Sequence, residues 1–218
     1  QALARVGSRR IGVFLGTRTS GIGQTELAYR HRDPVTGALP ADFHYASTHN
    51  PYSVSDFVRR YFQLDGPAMA VSSACSSSAK VFASAQRMLQ AGLIDAAIVG
   101  GVDSLCLTTL CGFNSLGLLS SRPCRPFDAA RDSISLGAAA AFILLERLPD
   151  SVDANAVLLR GVGESSDAYH MSSPHPQGLG ARLAMQQALA SAGLQAGEID
   201  YINLHGTATP GNDAAEGQ

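Results

Sequence analysis

One cysteine and one histidine in this chain occupy positions where their side chains can do chemistry. Cys75 follows an apolar run at residues 68–72 and a tight turn, and it precedes a stretch with helical periodicity. In the first turn of a helix, free N–H groups and the positive end of the helix dipole favour a thiolate and can stabilise an oxyanion. His205 follows another apolar run, and its imidazole can donate a hydrogen bond or accept a proton. These positions favour acyl transfer through a cysteine nucleophile, although a lone cysteine or histidine is more often an inert core residue.

The segments around these two residues alternate between predicted strands and helices, which indicates an α/β fold. Apolar runs predict strands at residues 11–16, 68–72, 96–99, 138–146, 156–162 and 200–204. Helical spacing of apolar residues predicts helices at 50–62, 76–91 and 179–192, and the polar stretch 17–41 is predicted as a surface excursion. The strand–helix–strand unit at 68–99 predicts two parallel, neighbouring strands. We predict a single domain over residues 1–218.

Composition and charge exclude several classes of function. The formal net charge of −2 gives no electrostatic footprint for nucleic acid or an anionic membrane, and no apolar run is long enough to cross a bilayer. The four cysteines form no C-x-x-C pair and no cluster with zinc spacing, and the start of the chain lacks the layout of a signal peptide. We therefore expect a reduced, cytoplasmic protein without a metal site. His170 and His175 are interpreted as loop residues.

Five short motifs follow one another along the chain. They read VSSACSSS around Cys75, DAAIVGGVDS from Asp95, GFNSLGLLS from Gly112, RPFD followed by RD from Arg125, and HGTATP followed by ND and E from His205. Together, in this order, the motifs resemble those of the β-ketoacyl-(acyl carrier protein) synthases in the thiolase superfamily. The resemblance implies a thiolase-like layered α/β/α fold. This chain would hold most of its N-terminal half and the start of its C-terminal half, with the boundary near residues 150–156.

The resemblance also implies roles for individual residues. Cys75 would carry the acyl group as a thioester, and His205 would donate a hydrogen bond to the malonyl thioester carbonyl. Phe113 would line the acyl pocket, and Thr207 and Thr209 would contact the pantetheine arm. The implied reaction is a decarboxylative Claisen condensation. The substrates would arrive on the phosphopantetheine of an acyl carrier protein, so no further cofactor is expected.

Other features of the resemblance concern the surroundings of the site. Glu216 corresponds to an acid that supports the site, although a solvated surface role stays equally open for it. The arginines and aspartates of the RPFD and RD motifs are interpreted as a structural charge network. The family pairs into dimers, which implies a homodimer or a heterodimer with a sister subunit. A second histidine, a lysine and a glycine-rich loop of the family would follow residue 218, so we expect this stretch alone to be inactive.

Two departures from the family pattern are present. Ser133 stands where the family usually has glycine, and Ala138 stands in place of an acidic residue. These departures favour a specialised relative, such as one that builds polyene or polyketide chains, over a housekeeping fatty-acid enzyme.

Three alternatives stay open on the sequence. The chain could be a non-catalytic partner of the chain-length-factor type, although the retained Cys75 argues against it. It could be a thiolase acting on coenzyme A esters, although the HGTATP motif fits the synthases better. The pattern from Ser77 to Lys80 also fits the S-x-x-K motif of serine β-lactamases, but no S-D-N or K-T-G motif accompanies it.

Overall fold

The computed structural model describes residues 2–218 and contains a four-stranded mixed sheet. The strands are β1 (Ile11–Gly16), β2 (Ala68–Val71), β3 (Ala96–Asp103) and β4 (Ala139–Glu146), in the spatial order β2-β1-β3-β4. Strand β1 pairs in parallel with both β2 and β3, and β4 pairs antiparallel with β3. The helices are α1 (Ala2–Val6), α2 (Ile22–Arg30), α3 (Tyr52–Tyr61), α4 (Ser77–Gln90), α5 (Leu107–Ser115), α6 (Leu179–Ala192) and α7 (Pro210–Glu216). Four short 3₁₀ turns span Ser8–Arg10, Tyr45–Ser47, Ala74–Ser76 and Ala196–Glu198.

Strand β1 lies at the centre of the core because both of its faces are covered. Ile11, Val13 and Leu15 pack with Val58 of α3 on one face. Phe14, which points to the opposite face, packs with residues of α4 and β3. A parallel strand buried on both faces is expected to be apolar throughout, as the IGVFLG sequence is. The sheet is thus sandwiched between α3 and α4, which gives an α/β/α layering.

The chain divides into two compact units. One contains Gln1–Cys111 and Gly137–Ala154, and it holds the sheet. The other contains Gly112–Leu136 and Asn155–Gln218. In the second unit, Leu119 and Ile134 form an isolated parallel bridge. The expectation of a single domain with a boundary near residues 150–156 stays a prediction.

Most predicted elements are found, and the differences have physical reasons. β1 and α6 have the predicted bounds. The stretch 17–41 contains the helix α2, which polar and glycine residues conceal. Strands β2 and β3 are parallel, but β1 lies between them, so they are not neighbours. Chain order alone does not determine which strand a crossover passes over.

Two predicted strands, at residues 156–162 and 200–204, are not formed. Neither segment belongs to a ladder in the part of the chain that the structure describes, and Val157 is fully exposed. A strand requires a hydrogen-bonded neighbour, whereas an apolar run indicates only the character of its side chains.

None of the helices within residues 2–218 is long and apolar enough to cross a membrane.

Candidate active site

The turn that carries Cys75 joins β2 to α4 and is closed by serine hydroxyl groups. Cys75 is exposed in the 3₁₀ turn Ala74–Ser76 that leads directly into α4. The Ser77 hydroxyl donates to the carbonyl of Ala74 at 2.6 Å and accepts from the backbone N–H of Ser73 at 2.9 Å. The Ser76 hydroxyl donates to the carbonyl of Ser73 at 2.9 Å. The run of serines therefore fixes the backbone on both sides of the thiol.

The residue before Cys75 has an unusual backbone conformation. Ala74 has a φ of 53°, in the left-handed region that side chains other than glycine rarely adopt. Such a conformation costs on the order of 1–3 kcal/mol and persists where the surrounding structure imposes it. The serine hydrogen bonds impose this conformation and hold Cys75 at an exposed position in the turn.

Two glycines of the sheet let the first turn of α4 approach closely. Gly16 of β1 and Gly101 of β3 are register partners. A Cβ on Gly16 would collide with the backbone of Ser77, and a Cβ on Gly101 would lie 2.5 Å from the Cβ of Ser78. This glycine pair therefore sets the height of the α4 N-terminus above the sheet, and with it the position of Cys75.

A single carboxylate at the end of β3 fastens the loop that follows β1. Oδ1 of Asp103 accepts from the backbone N–H groups of Arg18 at 2.7 Å and Thr19 at 2.9 Å, and from the Thr17 and Thr19 hydroxyls. Burial raises the pKa of Asp103, but the hydrogen bonds from Thr19, Arg18 and Thr17 outweigh it and hold that pKa below its ordinary value. The loop after β1 is therefore held by an ionised acid.

In the second unit, Glu216 holds the backbone of the HGT segment. Its Oε1 accepts from the N–H of His205 at 2.7 Å, and its Oε2 accepts from the N–H of Gly206 at 2.8 Å. The side-chain amide of Asn212 also donates to Oε2, at 2.9 Å. These contacts make Glu216 a brace for the backbone that carries His205.

Asp213 joins the HGT segment to the RPFD segment. It is 2% exposed, and it accepts from the N–H of Phe127 at 2.8 Å and from the N–H of Ala208 at 3.1 Å. Nε of Arg131 lies 3.3 Å from its Oδ2. The motif contains Asp213, but its role could not be predicted because the partners of one acid are not visible in a sequence. Its three-residue spacing from Glu216, within one helical turn, was the available signal.

Thr207 and Thr209 lie together on a strained turn. Their hydroxyl oxygens are 2.8 Å apart, and the residue between them, Ala208, is fully buried with a φ of 58°. The thiol of Cys124 donates to the carbonyl of Thr207 at 3.6 Å. The turn therefore presents two hydroxyl groups side by side at a fixed position.

Phe113 is half-buried near the C-terminal end of α5. The N–H of Leu118 donates to its carbonyl at 3.0 Å, and the N–H of Gly117 donates to the carbonyl of Asn114 at 3.0 Å. Gly117 has a φ of 67°, the conformation that commonly ends a helix.

The structure places the predicted site residues in both units. His205, Thr207, Thr209, Glu216 and Phe113 belong to the second unit, and within it Glu216 contacts the backbone of the HGT segment. Cys75 belongs to the first unit. Among residues 2–218, no group of three or more His, Cys, Asp or Glu side chains has an arrangement that could hold a metal.

Comparison with known proteins identifies the family. The family model described as "Beta-ketoacyl synthase, N-terminal domain" matches residues 2–151, and the one described as "Beta-ketoacyl synthase, C-terminal domain" matches residues 156–218. The chain belongs to the β-ketoacyl synthase family. The resemblance drawn from the five motifs is therefore confirmed, and so is the α/β fold of thiolase type.

Two curated relatives are bacterial. Nodulation protein E of Rhizobium meliloti (strain 1021) is 35% identical over 211 residues, which cover 95% of this chain and 52% of that protein. The 3-oxoacyl-(acyl-carrier-protein) synthase 2 of the same strain is 33% identical over 210 residues, which cover 91% of this chain and 49% of that protein. The chain spans about half the length of the curated relatives it matches.

Solved structures share the fold along nearly the whole chain. A chain from the complex of the ketosynthase ApeO with its chain length factor ApeC, from Xenorhabdus doucetiae, superposes with a TM-score of 0.87 at 44% identity. That match covers 99% of this chain and 53% of the other. A β-ketoacyl synthase from Burkholderia phymatum STM815 matches with a TM-score of 0.84 at 29% identity, covering 97% and 53%.

Proposed function

We propose that the full-length protein is a β-ketoacyl-(acyl carrier protein) synthase with Cys75 as its nucleophile. The observation that carries the proposal is the placement of Cys75, exposed directly after the left-handed residue Ala74 at the start of α4, in a chain of the β-ketoacyl synthase family. The N–H groups at the start of α4 and the helix dipole favour the thiolate there. Acyl chemistry also agrees with the name of a relative, 3-oxoacyl-(acyl-carrier-protein) synthase 2.

The proposed reaction has two stages. The Cys75 thiolate attacks the carbonyl carbon of an acyl thioester, a new S–C bond forms, the old S–C bond breaks, and the carrier protein leaves as its thiolate. Malonyl-carrier protein then loses CO₂, and the carbon of the resulting enolate attacks the acyl carbon on Cys75. The S–C bond breaks, the sulfur returns as thiolate, and the product is a 3-oxoacyl-carrier protein that is two carbons longer.

Residues of the second unit have supporting roles in this proposal. His205 donates a hydrogen bond to the malonyl thioester carbonyl and stabilises the enolate charge. The paired hydroxyls of Thr207 and Thr209 contact the pantetheine arm, and Phe113 lines the acyl pocket. Glu216 fixes the backbone that presents His205. In cells, the partners proposed are an acyl carrier protein and a second subunit, identical or sister.

A non-catalytic role as a chain-length-factor subunit is the second candidate. Two structural neighbours come from assemblies named for a ketosynthase and its chain length factor, one of them the ishigamide pair at 26% identity. The retained Cys75 favours the synthase.

Intact mass spectrometry of the full-length protein tests the proposal. Incubation with acyl-carrier protein is expected to add one acyl group, and Cys75→Ala is expected to abolish that gain. Cys111→Ala, which removes another exposed cysteine, is the matched control and should leave the gain unchanged. Addition of malonyl-carrier protein should then release a 3-oxoacyl product.

The other outcomes identify the alternatives. A folded full-length protein that gains no acyl group would favour the non-catalytic subunit. Acylation by acyl-coenzyme A and not by acyl-carrier protein would favour a thiolase.

A further inference from the structure

The turn after Phe113 is fastened to the segment that contains Ser133. Leu119 and Ile134 form the parallel bridge of the second unit. The N–H of Ile134 donates to the carbonyl of Leu118 at 3.2 Å, and the N–H of Ser120 donates to the carbonyl of Ile134 at 2.9 Å. These hydrogen bonds hold the backbone of residues 118–120 against residues 133–135.

Side chains strengthen this attachment on either side of the bridge. The Ser120 hydroxyl donates to Asp132 at 2.7 Å, at an exposed position. That hydrogen bond is the largest cause that holds the pKa of Asp132 below its ordinary value. On the other side, the Ser133 hydroxyl donates to the carbonyl of Gly117 at 3.5 Å. Gly117 is the left-handed residue that ends the turn begun at Phe113.

Ser133 differs from the other members of this attachment because it is buried. It is 4% exposed, so its Cβ and hydroxyl occupy space inside the second unit. Ser133 has no left-handed backbone conformation, so glycine is not required at this position. A glycine there would remove both the packing atoms and the donor to Gly117. The serine therefore limits how far the Gly117 turn can move, and α5 ends at that turn.

We propose that Ser133 is a positioning residue that sets the acyl chain length accepted by this protein, acting through the Gly117 turn on Phe113. This inference rests on the proposed function, in which Phe113 lines the acyl pocket. When the turn is held, Phe113 keeps its place and restricts the pocket. When the turn is released, Phe113 moves aside for longer chains.

The test uses full-length protein and a series of acyl-carrier proteins from two to sixteen carbons. Acylation rates at Cys75 are measured for the wild type, Ser133→Gly and Ser133→Ala. Ser133→Gly should raise the ratio of long-chain to short-chain acylation roughly three- to tenfold, the range expected from the loss of one modest hydrogen bond. Ser133→Ala retains the Cβ and should give a smaller change. An unchanged ratio in both variants would overturn the proposal.

Ser135→Ala is the matched control. Ser135 accepts from the N–H of Cys124 at 3.0 Å and donates to the carbonyl of Arg122, so it fastens a different loop. Its removal should leave the chain-length ratio unchanged.

Amide hydrogen exchange gives a second readout that does not depend on acylation. Exchange at Leu118 and Ser120 should be faster in Ser133→Gly than in the wild type, and equal rates would contradict the proposed restraint. A wild-type protein that accepts no acyl group refutes the proposed function. If the wild type is acylated and the Ser133 variants have the same chain-length profile as the wild type, only the role of Ser133 is refuted.

Discussion

At the scale of single residues, two acids of α7 perform different tasks. Glu216 binds backbone N–H groups of the HGT segment from a partly exposed position. Asp213 is buried and binds two backbone segments and one arginine at once. Each acid has three partners among residues 2–218, but the loss of the buried one costs more, because removal of its charge leaves donors without a partner in a region with little water.

Asp213→Asn is expected to lower the free energy of unfolding by about 3 kcal/mol, because it breaks a buried ion pair and turns an amide group towards backbone donors. Urea unfolding measures the change. Asp132→Asn is the matched control, since Asp132 pairs with Arg122 in the same region but is largely exposed. The control should lose much less stability, because exposed ion pairs contribute little. Equal losses would show that Asp213 does not brace the two segments.

The candidate site was only partly predictable at this scale. Cys75 and His205 could be predicted as site residues because motif residues surround them, and the motifs are local in sequence. Asp103 binds Thr17, and Asp213 binds Phe127. In each pair the two residues are more than 80 positions apart in the sequence. A sequence contains no direct record of such pairs, so these two braces emerge only from the fold.

At the scale of elements, the glycine pair Gly16 and Gly101 controls the position of α4. Gly16→Ala should push the first turn of α4 away from the sheet and lower the free energy of unfolding by about 1–3 kcal/mol, the usual cost of overpacking. Acylation at Cys75 should fall with it. Thermal unfolding and intact mass measure the two effects.

Gly23→Ala is the control for that substitution. A Cβ on Gly23 of α2 meets no other atom within 4 Å, so alanine should stabilise the helix by roughly 0.5–1 kcal/mol. If Gly16→Ala were tolerated as well as Gly23→Ala, α4 would not approach the sheet as closely as the structure indicates.

The loop after β1 should depend on pH through Asp103. The folded state lowers the pKa of this acid, so its charge stabilises the fold above the unfolded value of about 3.9 and ceases to do so as pH falls through the folded value. Asp103→Asn keeps an oxygen for the same donors but removes the charge. At pH 7 it should cost about 1–2 kcal/mol, the difference between charged and neutral hydrogen bonds.

Urea unfolding at pH 7 and pH 3 checks this dependence. The wild type and Asp103→Asn should approach each other in stability at pH 3, because the acid of the unfolded wild-type chain is then mostly protonated. A gap of the same size at both pH values would exclude a contribution from the charge.

The elements were predicted best where their own residues determine them. β1 is apolar throughout, and α6 ends at Gly193, which has a φ of 67°. The helix α2 was missed because Gly21, Gly23 and Thr25 conceal its period. The strands expected at 156–162 and 200–204 were wrong because strand formation depends on a neighbour rather than on the segment itself.

At the scale of the whole molecule, the unit that contains the sheet has an apolar pocket of about 700 Å³. Side chains of α3 and β4 line it, including Phe57, Tyr61 and Phe142, and several of these are half exposed or more. Contiguous apolar surface of this kind marks a site of contact with other protein segments or of aggregation.

Because the chain spans about half the length of its relatives, the acylation experiments require the full-length protein.

The central place of β1 has a consequence for synthesis on the ribosome. Ile11 is translated well before its register partner in β3, Ala96. At ~5–20 residues per second, the ribosome needs on the order of 4–17 s to deliver that partner. During this interval the apolar IGVFLG segment lacks its neighbour β3. We therefore expect nascent chains of this protein to bind chaperones that recognise short apolar segments, and we expect substitutions in β1 to lower the yield before they affect the folded protein.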